Sequence, residues 1–434
     1  MVNSKFIRLC VMMFLQYFTW GAWFVTLGSY IGNNTAGQGS GMFAEGFVGY
    51  AYGTAAIAGM IAPFFVGMIA DRFFASQYVL AFCHVVGAGI LVWLSMIDNQ
   101  AVFYFALILY FLLYMPTLAL TNSLSFHHLD RPGDQFPYVR VLGTIGWIAA
   151  GNFYALLSLF MGISVSEMQN SSTPMLVAAG SSLLLGLYCF ALPHTPPKDT
   201  DSPMTVGKIL GLDALVLLKR WPFLVFVIGS FLIAIPLQFY YNYTNFFLGD
   251  VGVENAVGKM TFGQMSEIFF MLLIPFFFVR LGVKNMLLIG MAAWVTRYVL
   301  FAFGDAGSGF WMLFLGILLH GICYDFFFVT GQIYVEKNAN ERIRGAAQGL
   351  ITFVTLGVGA FVGANLSGMV EAASRTDDGV NWTQFWLIPA GIAGVVLILF
   401  AIMFNDPKIE EEVVSESELT PGNVAEADAA DPIV

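Results

Sequence analysis

Residues 236–247 read PLQFYYNYTNFF and residues 14–24 read FLQYFTWGAWF, so a Leu-Gln pair followed by aromatic residues occurs twice in the chain. A second pair of similar segments is APFFVGMIADRF at 62–73 and IPFFFVRLGVKN at 274–285. The two members of each pair lie at corresponding positions in the two halves of the chain. Internal similarity of this kind predicts a fold built from two related halves.

The composition of the 434-residue chain is that of a membrane protein: 58% of the residues are hydrophobic, 11% are charged and the mean hydropathy is +0.76. These values lie far outside the range of soluble domains. Turn-forming segments separate twelve apolar runs long enough to cross a bilayer, and the first is a span and not a signal peptide. The predicted spans are residues 6–30, 46–70, 77–97, 102–124, 138–161, 173–193, 222–248, 260–280, 286–304, 308–335, 343–367 and 383–405.

The longest internal separator divides these spans six and six. We therefore predict an all-α membrane protein with two pseudo-symmetric six-helix bundles, the major facilitator fold, in which substrate binds at mid-membrane between the bundles and access alternates. The predicted parts are an N-terminal bundle over 1–197, a cytoplasmic interdomain loop over 198–221, a C-terminal bundle over 222–405 and an acidic disordered cytoplasmic tail over 406–434.

Charge is distributed unevenly along the chain and across the membrane. The tail carries −8 of the net charge of −10, so the membrane body is nearly neutral, and an interaction or sensory role for the tail is the alternative to simple disorder. With the N-terminus inside, only Lys259 and Arg375 lie in the opposite loops. Both termini are therefore predicted to be cytoplasmic. The fifteen basic residues on or next to the cytoplasmic side are Lys5, Arg8, Arg72, Arg131, Arg140, Lys198, Lys208, Lys219, Arg220, Arg280, Lys284, Lys337, Arg342, Arg344 and Lys408.

Several acids and amides fall inside predicted spans, where a charge costs roughly 2.5–3.5 kcal/mol even on the lenient insertion scale. Asp325 lies in the stretch GICYDFFFVTG, among apolar, aromatic and small neighbours. Gln264 and Glu267 stand three residues apart and share one face of span eight. Because such residues usually line a cavity and have a function, we expect them to form part of a site with His320 and Tyr324.

Three further spans carry polar or aromatic side chains at helical spacing. Amides, rings and charges on converging faces are suited to a pocket for a polar ring compound. Alternatives stay open: the acids could form structural ion pairs with Arg140 or Arg297, the amides could join helices, and the tryptophans could pack in the core. The residues are Gln16, Thr19, Trp20 and Trp23 on span one, Arg140, Thr144 and Trp147 on span five, and Gln238, Asn242 and Asn245 on span seven.

Other polar residues have a simpler interpretation. Arg297 lies toward the outer part of span nine, where it could reach the interface or pair structurally, and His84 is expected to be a hydrogen-bonded core residue. His127, His128 and Asp130 cluster at the cytoplasmic end of span four, and a membrane enzyme using them is an alternative of another class. The chain contains no GxxxxGK[ST], HExxH or GxSxG motif, and its four cysteines have no paired spacing. Neither ATP hydrolysis, nor those forms of hydrolase chemistry, nor a disulfide framework or metal site is indicated.

Seven segments of the chain resemble, in this order, segments of the bacterial nucleoside:proton symporters, a branch of the major facilitator superfamily. Each is weak alone, but the ordered set is specific and runs through nearly the whole chain except the tail. The resemblance implies a twelve-helix carrier of the bacterial inner membrane that takes up nucleosides with protons. The segments are FLQYFTWGAWFVTLGSY, GMIADRFFASQYVLAFCH, YMPTLALTNSLSF, FPYVRVLGTIGW, ILGLDALVLLK, QMSEIFFMLLIPFFFVRLGVKN and CYDFFFVTGQIYVEKNANERIRGAAQG.

The resemblance also implies the residues of the central site. The family uses an RxxGTxG(F/W) segment, the Gln of the span-seven Leu-Gln pair, a QxSE pair and an aromatic-Asp pair before an FF run. Two positions depart from the family pattern: Tyr241 stands where Asn is usual, with Asn242 beside it, and His320 stands where relatives often have Tyr. The preference for purine or pyrimidine nucleosides therefore stays open. The matching positions are Arg140, Thr144, Trp147, Gln238, Gln264, Glu267, Tyr324 and Asp325.

A nucleoside offers a flat base with donor and acceptor edges and a ribose with paired hydroxyls. Amides suit the base edge, aromatic faces suit the ring, and a carboxylate suits the hydroxyls. We therefore expect Trp147 and Tyr324 to pack on the rings, Gln238, Asn242 and Gln264 to contact base or sugar edges, and Glu267 to accept from ribose. The full set of expected substrate-binding residues is Arg140, Thr144, Trp147, Gln238, Tyr241, Asn242, Gln264, Glu267, His320 and Tyr324.

Proton coupling is assigned to three of the charged residues. Because burial favours the uncharged form of a carboxyl group, Asp325 is expected to carry the proton, with Arg140 as counter-charge and Glu267 as the alternative carrier. No cofactor is expected besides the proton as coupling ion, and no nucleic acid partner; the carrier is expected to be a monomer. A proton-coupled carrier of a sugar or another polar solute is the alternative.

Overall fold

A computed structural model describes residues 4–35, 38–72, 74–197, 212–339, 343–377 and 379–405, without the side chains of 63–72, 132–134, 212 and 213. Ten of its helices are long and apolar enough to span a membrane. One of these, Ala256–Phe303, is two spans joined at a kink, and Phe47–Arg72 contains a shorter apolar stretch, which brings the described spans to the twelve predicted. The membrane helices are α1 Ser4–Gly32, α2 Phe47–Arg72, α3 Ser76–Leu94, α4 Gln100–His128, α5 Pro132–Met161, α6 Thr173–Tyr188, α7 Trp221–Asp250, α8 and α9 within Ala256–Phe303, α10 Phe310–Asn338, α11 Arg344–Ala373 and α12 Trp382–Met403.

The predicted connections lie partly outside the described residues. The acidic tail over 406–434 and residues 198–211 of the interdomain loop belong to that part, so their predicted character stays a prediction. The last part of the loop forms a short 3-10 helix, Leu212–Lys219, which contacts α7 and α11.

The junction between α8 and α9 has no polar loop. Helices lie directly on both sides of Gly282, which alone leaves the helical conformation within 256–303, with φ 69° and ψ 172°. A residue with a Cβ rarely adopts a positive φ of this kind, so the glycine permits the reversal. The chain therefore turns between two spans within a single residue.

The helices pack as two bundles, and specific pairs of helices form the contacts between them. In the first bundle α1 packs on α5 and α6, and α3 packs on α4 and α6; in the second, α7 packs on α11 and α12. Between the bundles α1 contacts α7, α2 contacts α11, and α5 contacts α8. Since α2 and α8 occupy equivalent places in the two halves, as do α5 and α11, the last two contacts are related by the predicted pseudo-symmetry.

The halves approach most closely toward the end that carries the α1–α2 and α11–α12 connections. Asn245 Nδ2 donates to Ser29 Oγ at 2.6 Å, and the backbone N–H of Gly46 donates to Glu371 Oε2 at 2.8 Å. A Cβ at Gly49 would lie 2.2 Å from the carbonyl oxygen of Ala364, so only glycine allows this approach of α2 to α11. The central cavity is therefore closed toward this end.

Candidate functional site

The second-half wall of the site contains a change of helical geometry. Helix α10 is α-helical over His320–Tyr324 and becomes a π-helix over Asp325–Val329. Short π segments inside α-helices are frequent at functional sites. The Asp325 side chain is 0% exposed, and neither carboxylate oxygen has a hydrogen-bond partner. An ionised carboxylate enclosed in this way costs several kcal/mol, so the surroundings suit the protonated form.

Glu267 and His320 face each other between α8 and α10. Their nearest atoms, Oε2 and Nε2, are 3.8 Å apart, and the Glu267 side chain is 20% exposed while that of His320 is 2% exposed. The imidazole stacks on Tyr240 with ring centroids 5.1 Å apart and meets Tyr241 edge to face at 6.2 Å. Glu267 is therefore the more accessible of the two acids that the site contains.

The polar stripe on α7 separates into two roles. Asn242 Nδ2 donates to Ser367 Oγ on α11 at 3.0 Å, and Asn245 binds Ser29 on α1, so these amides join helices. Tyr241, in contrast, lines the central cavity. Gln238 is 9% exposed and lies against the α11 backbone beside Gly363. Of these residues Tyr241 has the clearest access to a bound molecule.

The first-half wall is aromatic with one cation. The Arg140 guanidinium lies 4.4 Å from the centroid of the Tyr17 ring. Trp147 packs against Gly21 of α1 and meets Trp20 edge to face at 5.4 Å, and Thr144, one turn before it, is half-buried. Tyr17 was not among the sequence candidates, although it belongs to the repeated Leu-Gln-aromatic segment that could have indicated it.

A cavity between the bundles brings several candidates together. Its lining includes Trp147 and Gly151 from α5, Tyr241 from α7 and Gln264 from α8. Gln264 and Glu267 occupy one face of α8, as predicted, and the Glu267 carboxylate lies one turn beyond the cavity lining. Rings from both halves and an amide thus surround one space.

The charged candidates approach each other without forming ion pairs. Arg140 lies within electrostatic range of Glu267 and Tyr324, yet in the described part of the chain neither Arg140 nor Arg297 comes within 4.0 Å of Glu267 or Asp325. The structural ion pairs considered as alternatives are therefore not present there. Among the described residues, Asp325 has no cationic partner within 4.0 Å in this conformation.

Two interpretations made outside the site have different outcomes. His84 is a core histidine, as predicted: its Nε2 contacts Gln16 Oε1 at 2.8 Å and its Nδ1 contacts Ser182 Oγ at 3.1 Å. For Arg297 the first of the two interpretations, a side chain that reaches the interface, was wrong, because the side chain is 0% exposed. It is held inside the bundle by the carbonyl oxygen of Gly316 and the ring of Tyr240. Hydropathy places a residue along a helix, but the direction of its side chain depends on the neighbouring helices.

The four cysteines are free, and no group of three or more metal-ligating side chains occurs in the ranges described. In the histidine cluster at the end of α4, His128 Nε2 lies 2.8 Å from Thr195 Oγ1. This contact joins the end of α4 to the segment that follows α6.

Comparison with known proteins identifies the relatives of this chain. The family model described as "Nucleoside H+ symporter" matches residues 3–409. In Escherichia coli (strain K12), YegT is 43% identical over 98% of this chain and 97% of its own length, and the xanthosine permease is 35% identical over 94% and 99%. The nucleoside permease NupG of the same organism is 32% identical over 93% and 96%.

Solved structures agree with these relatives. The crystal structure of the nucleoside transporter NupG superposes with a TM-score of 0.82 at 31% identity, covering 93% of this chain and all of the other. The peptide transporter PepTSo superposes with a TM-score of 0.68 at 13% identity, over 92% of this chain and 97% of the other, which shows the shared fold alone. Since the family and these neighbours are transporters, the membrane-enzyme alternative is wrong.

Proposed function

The chain belongs to the nucleoside H+ symporter family, and from this premise we propose that it imports nucleosides by proton symport through alternating access. The observation that carries the proposal is Asp325, a fully enclosed carboxyl group without a hydrogen-bond partner. It begins the π-helical turn of α10, the helix whose His320 contacts the cavity residues Tyr240 and Tyr241. Burying such a carboxyl group destabilises its charged form far more than its protonated form. Proton uptake and release at Asp325 would therefore change the stability of the conformations between which the carrier moves.

The cavity has a volume of only about 20 Å³ in this conformation, so a nucleoside requires its walls to move apart, and the side chains on those walls match the two ends of a nucleoside. The rings of Trp147 and Tyr241, from opposite bundles, supply faces on which a base stacks, and the amide of Gln264 matches donor and acceptor edges. Glu267, one turn from Gln264, accepts hydrogen bonds from the ribose hydroxyls. Because the amide of Asn242 is already bound to Ser367, we assign it to helix joining and not to substrate.

The coupling cycle follows from burial and charge. A protonated Asp325 leaves the loaded carrier without an uncompensated charge at this position and permits reorientation. After reorientation the proton leaves toward the cytoplasm, and Arg140, which in this conformation lies within electrostatic range of Glu267, serves as the counter-charge of the reoriented carrier. The proton is the coupling ion, and no cofactor is required.

The membrane arrangement is proposed from the distribution of basic residues. Both termini lie in the cytoplasm, and the closed end of the cavity, held by Asn245–Ser29 and Gly46–Glu371, faces the periplasm. The protein acts as a monomer in the bacterial inner membrane, and its partners are the nucleoside and the lipid bilayer.

Uptake into proteoliposomes tests the proposal. Purified full-length protein is reconstituted with the lumen at higher pH than the medium, and uptake of labelled uridine, adenosine, glucose and maltose is measured with and without a protonophore. We expect protonophore-sensitive accumulation of a nucleoside and none of the sugars. Accumulation of a sugar instead would show that the substrate class is wrong, and nucleoside uptake indifferent to the pH gradient would exclude symport.

An Asp325→Asn variant separates coupling from transport. The amide retains size and polarity but cannot take up or release the proton. We expect loss of pH-driven accumulation, with exchange of labelled for unlabelled nucleoside retained. Unchanged accumulation in this variant would remove Asp325 from the coupling step.

A further inference from the structure

The ring of Tyr17 on α1 lies against the guanidinium of Arg140 on α5. The guanidinium carbon is 4.4 Å from the ring centroid, within the range of a cation–π interaction. Among the described residues this guanidinium forms no hydrogen bond and no ion pair. Arginine has a long side chain with much rotamer freedom. The Tyr17 ring is therefore the contact that fixes where the charge of Arg140 lies.

The ring occupies a space that a glycine leaves on α5. A Cβ at Gly143, three residues after Arg140, would lie 2.7 Å from Tyr17 Cδ2 and 3.1 Å from Arg140 Nη1. Carbon atoms in contact prefer a separation of about 3.5–4.0 Å. A side chain at position 143 would therefore have to displace the ring, the guanidinium or both.

The part of α1 that carries the ring is anchored within its own bundle. Gln16, the residue before Tyr17, accepts a hydrogen bond at its backbone carbonyl oxygen from Tyr114 Oη at 2.7 Å. Its side chain donates to Thr117 Oγ1 at 2.7 Å and contacts His84 Nε2 at 2.8 Å. With the backbone and both ends of this side chain bound, α1 presents the Tyr17 ring as a fixed surface.

The stacked guanidinium acts on the second bundle from this position. Arg140 lies within electrostatic range of Glu267 on α8 and of Tyr324 on α10. The energy between charges falls as their distance grows and as water screens them. Arginine side chains near a span end readily extend toward water. Without the ring, the guanidinium would therefore leave the place from which it interacts with Glu267.

We propose that Tyr17 is a positioning residue, whose ring holds the Arg140 guanidinium toward Glu267 and so keeps the counter-charge in place for transport. The inference rests on the proposed function, in which Arg140 is the counter-charge of the carrier. The ring face is the part that acts, because the Tyr17 hydroxyl forms no hydrogen bond among the described residues. Gly143 is then required because it makes room for the pair.

Uptake of labelled uridine and adenosine into proteoliposomes under a pH gradient tests this role. Tyr17→Leu removes the ring but keeps an apolar side chain. We expect kcat/KM of uptake to fall about 5- to 30-fold, which corresponds to a cation–π contribution of about 1–2 kcal/mol. Tyr17→Phe keeps the ring and should restore most of the uptake. If the phenylalanine variant is as impaired as the leucine variant, the hydroxyl acts and the proposal is wrong.

Two variants serve as matched partners in the same assay. Gly143→Ala disturbs the pair from α5 and should reproduce the loss seen in Tyr17→Leu, although ring and cation are both retained. Gly180→Ala on α6, where a Cβ would have no other heavy atom within 4 Å, should leave uptake unchanged. Phe18→Leu removes a neighbouring ring that packs on Phe153 and should also leave uptake unchanged. Normal uptake in Gly143→Ala would contradict the proposal.

Arginine NMR reports the position of the guanidinium without any substrate. In protein with isotope-labelled arginine, the Arg140 Nε–H signal is assigned from its loss in Arg140→Gln. A ring beneath this group shifts its signal, so we expect the same position in wild type and Tyr17→Phe and a different one in Tyr17→Leu and Gly143→Ala. The signal of Arg297, which lies over the Tyr240 ring, should stay unchanged in all four proteins.

The spectrum separates positioning from a purely structural role. A structural role of Tyr17 would lower uptake without moving the Arg140 signal, so an identical signal in all four proteins would overturn the proposal. If the wild type accumulates neither nucleoside, the proposed function fails, whereas the spectrum still decides whether Tyr17 holds Arg140.

Discussion

The contact between Gly46 and Glu371 predicts how strongly one residue holds the closed end of the cavity. Glu371 is 1% exposed; Oε2 accepts the Gly46 N–H at 2.8 Å from the other bundle, and Oε1 lies 2.7 Å from Arg375 Nη2 in its own bundle. Only the first contact must break when the bundles separate at this end. Hydrogen bonds to charged groups contribute about 1.5–3 kcal/mol, so Glu371→Ala should shift the closed-to-open equilibrium by about 10- to 150-fold.

Distance measurement between two spin labels follows this shift. The native cysteines are replaced, and labels are placed at the exposed Ser40 and Thr376, which lie in the loops of opposite bundles at the closed end. If the open form of the wild type is about 1% populated, Glu371→Ala should raise it to about 10% or more, seen as a longer-distance population.

A graded variant serves as the control for the gate. Glu371→Gln keeps an acceptor for the Gly46 N–H but removes its charge, and neutral hydrogen bonds contribute only about 0.5–1.5 kcal/mol. Its distance distribution should therefore lie between those of the wild type and the alanine variant. Identical distributions in all three proteins would refute the assignment of Glu371 as a residue that holds the halves together.

Three further predictions concern the site and the bundle interior. Gln264→Ala should abolish nucleoside binding measured by calorimetry, because Gln264 lines the cavity. Asn242→Ala should retain binding and lower the thermal unfolding temperature, because Asn242 Nδ2 binds Ser367 between helices and such bonds contribute about 0.6–2 kcal/mol. Equal loss of binding in both variants would contradict this division of roles. Gly146→Val should prevent accumulation of folded protein in the membrane, because a Cβ there would lie 2.2 Å from the carbonyl oxygen of Phe14, and normal yield on size-exclusion chromatography would contradict it. His84→Leu should lower thermal stability while leaving the substrate panel unchanged, since His84 hydrogen-bonds only within the first bundle among the described residues; a changed substrate preference would count against this.

The number and order of the spans could be predicted because the membrane imposes run length directly. Twenty apolar residues are needed whatever the neighbouring helices do, and internal similarity showed how the runs divide. The gap between the predicted spans 260–280 and 286–304 located the junction, but neither its tight turn at Gly282 nor the π-helix beginning at Asp325 could be predicted in this way. Both are local changes of backbone geometry between helical residues, and run length carries no information about them.

The candidate site shows a similar limit. The cost of burying polar groups indicated which side chains matter inside the membrane, but not which way each one points. Asn242 and Tyr241 are adjacent in the sequence, yet one binds α11 and the other lines the cavity. For Arg297 the sequence left two possibilities, reaching the interface or pairing structurally, and the contacts with Tyr240 and Gly316 decide for a buried position. Such orientations depend on contacts between elements that are distant in the sequence.

The repeated Leu-Gln segment shows how two related halves acquire different tasks. In the first half the Gln16 side chain is bound on both sides, since its amide donates to Thr117 Oγ1 at 2.7 Å and its carbonyl oxygen contacts His84 Nε2 at 2.8 Å. In the second half the equivalent Gln238 has no such network in the described residues, and that bundle encloses two incompletely paired charged groups: the carboxylate of Asp325 and the Nη1 and Nη2 groups of Arg297. An incompletely paired buried charge destabilises the conformation that contains it. Neutralising or pairing that charge, by a proton or a substrate, therefore shifts the equilibrium between conformations. The asymmetry supports the proposal that proton exchange occurs in the second bundle, with the aromatic residues and Arg140 of the first bundle on the facing wall.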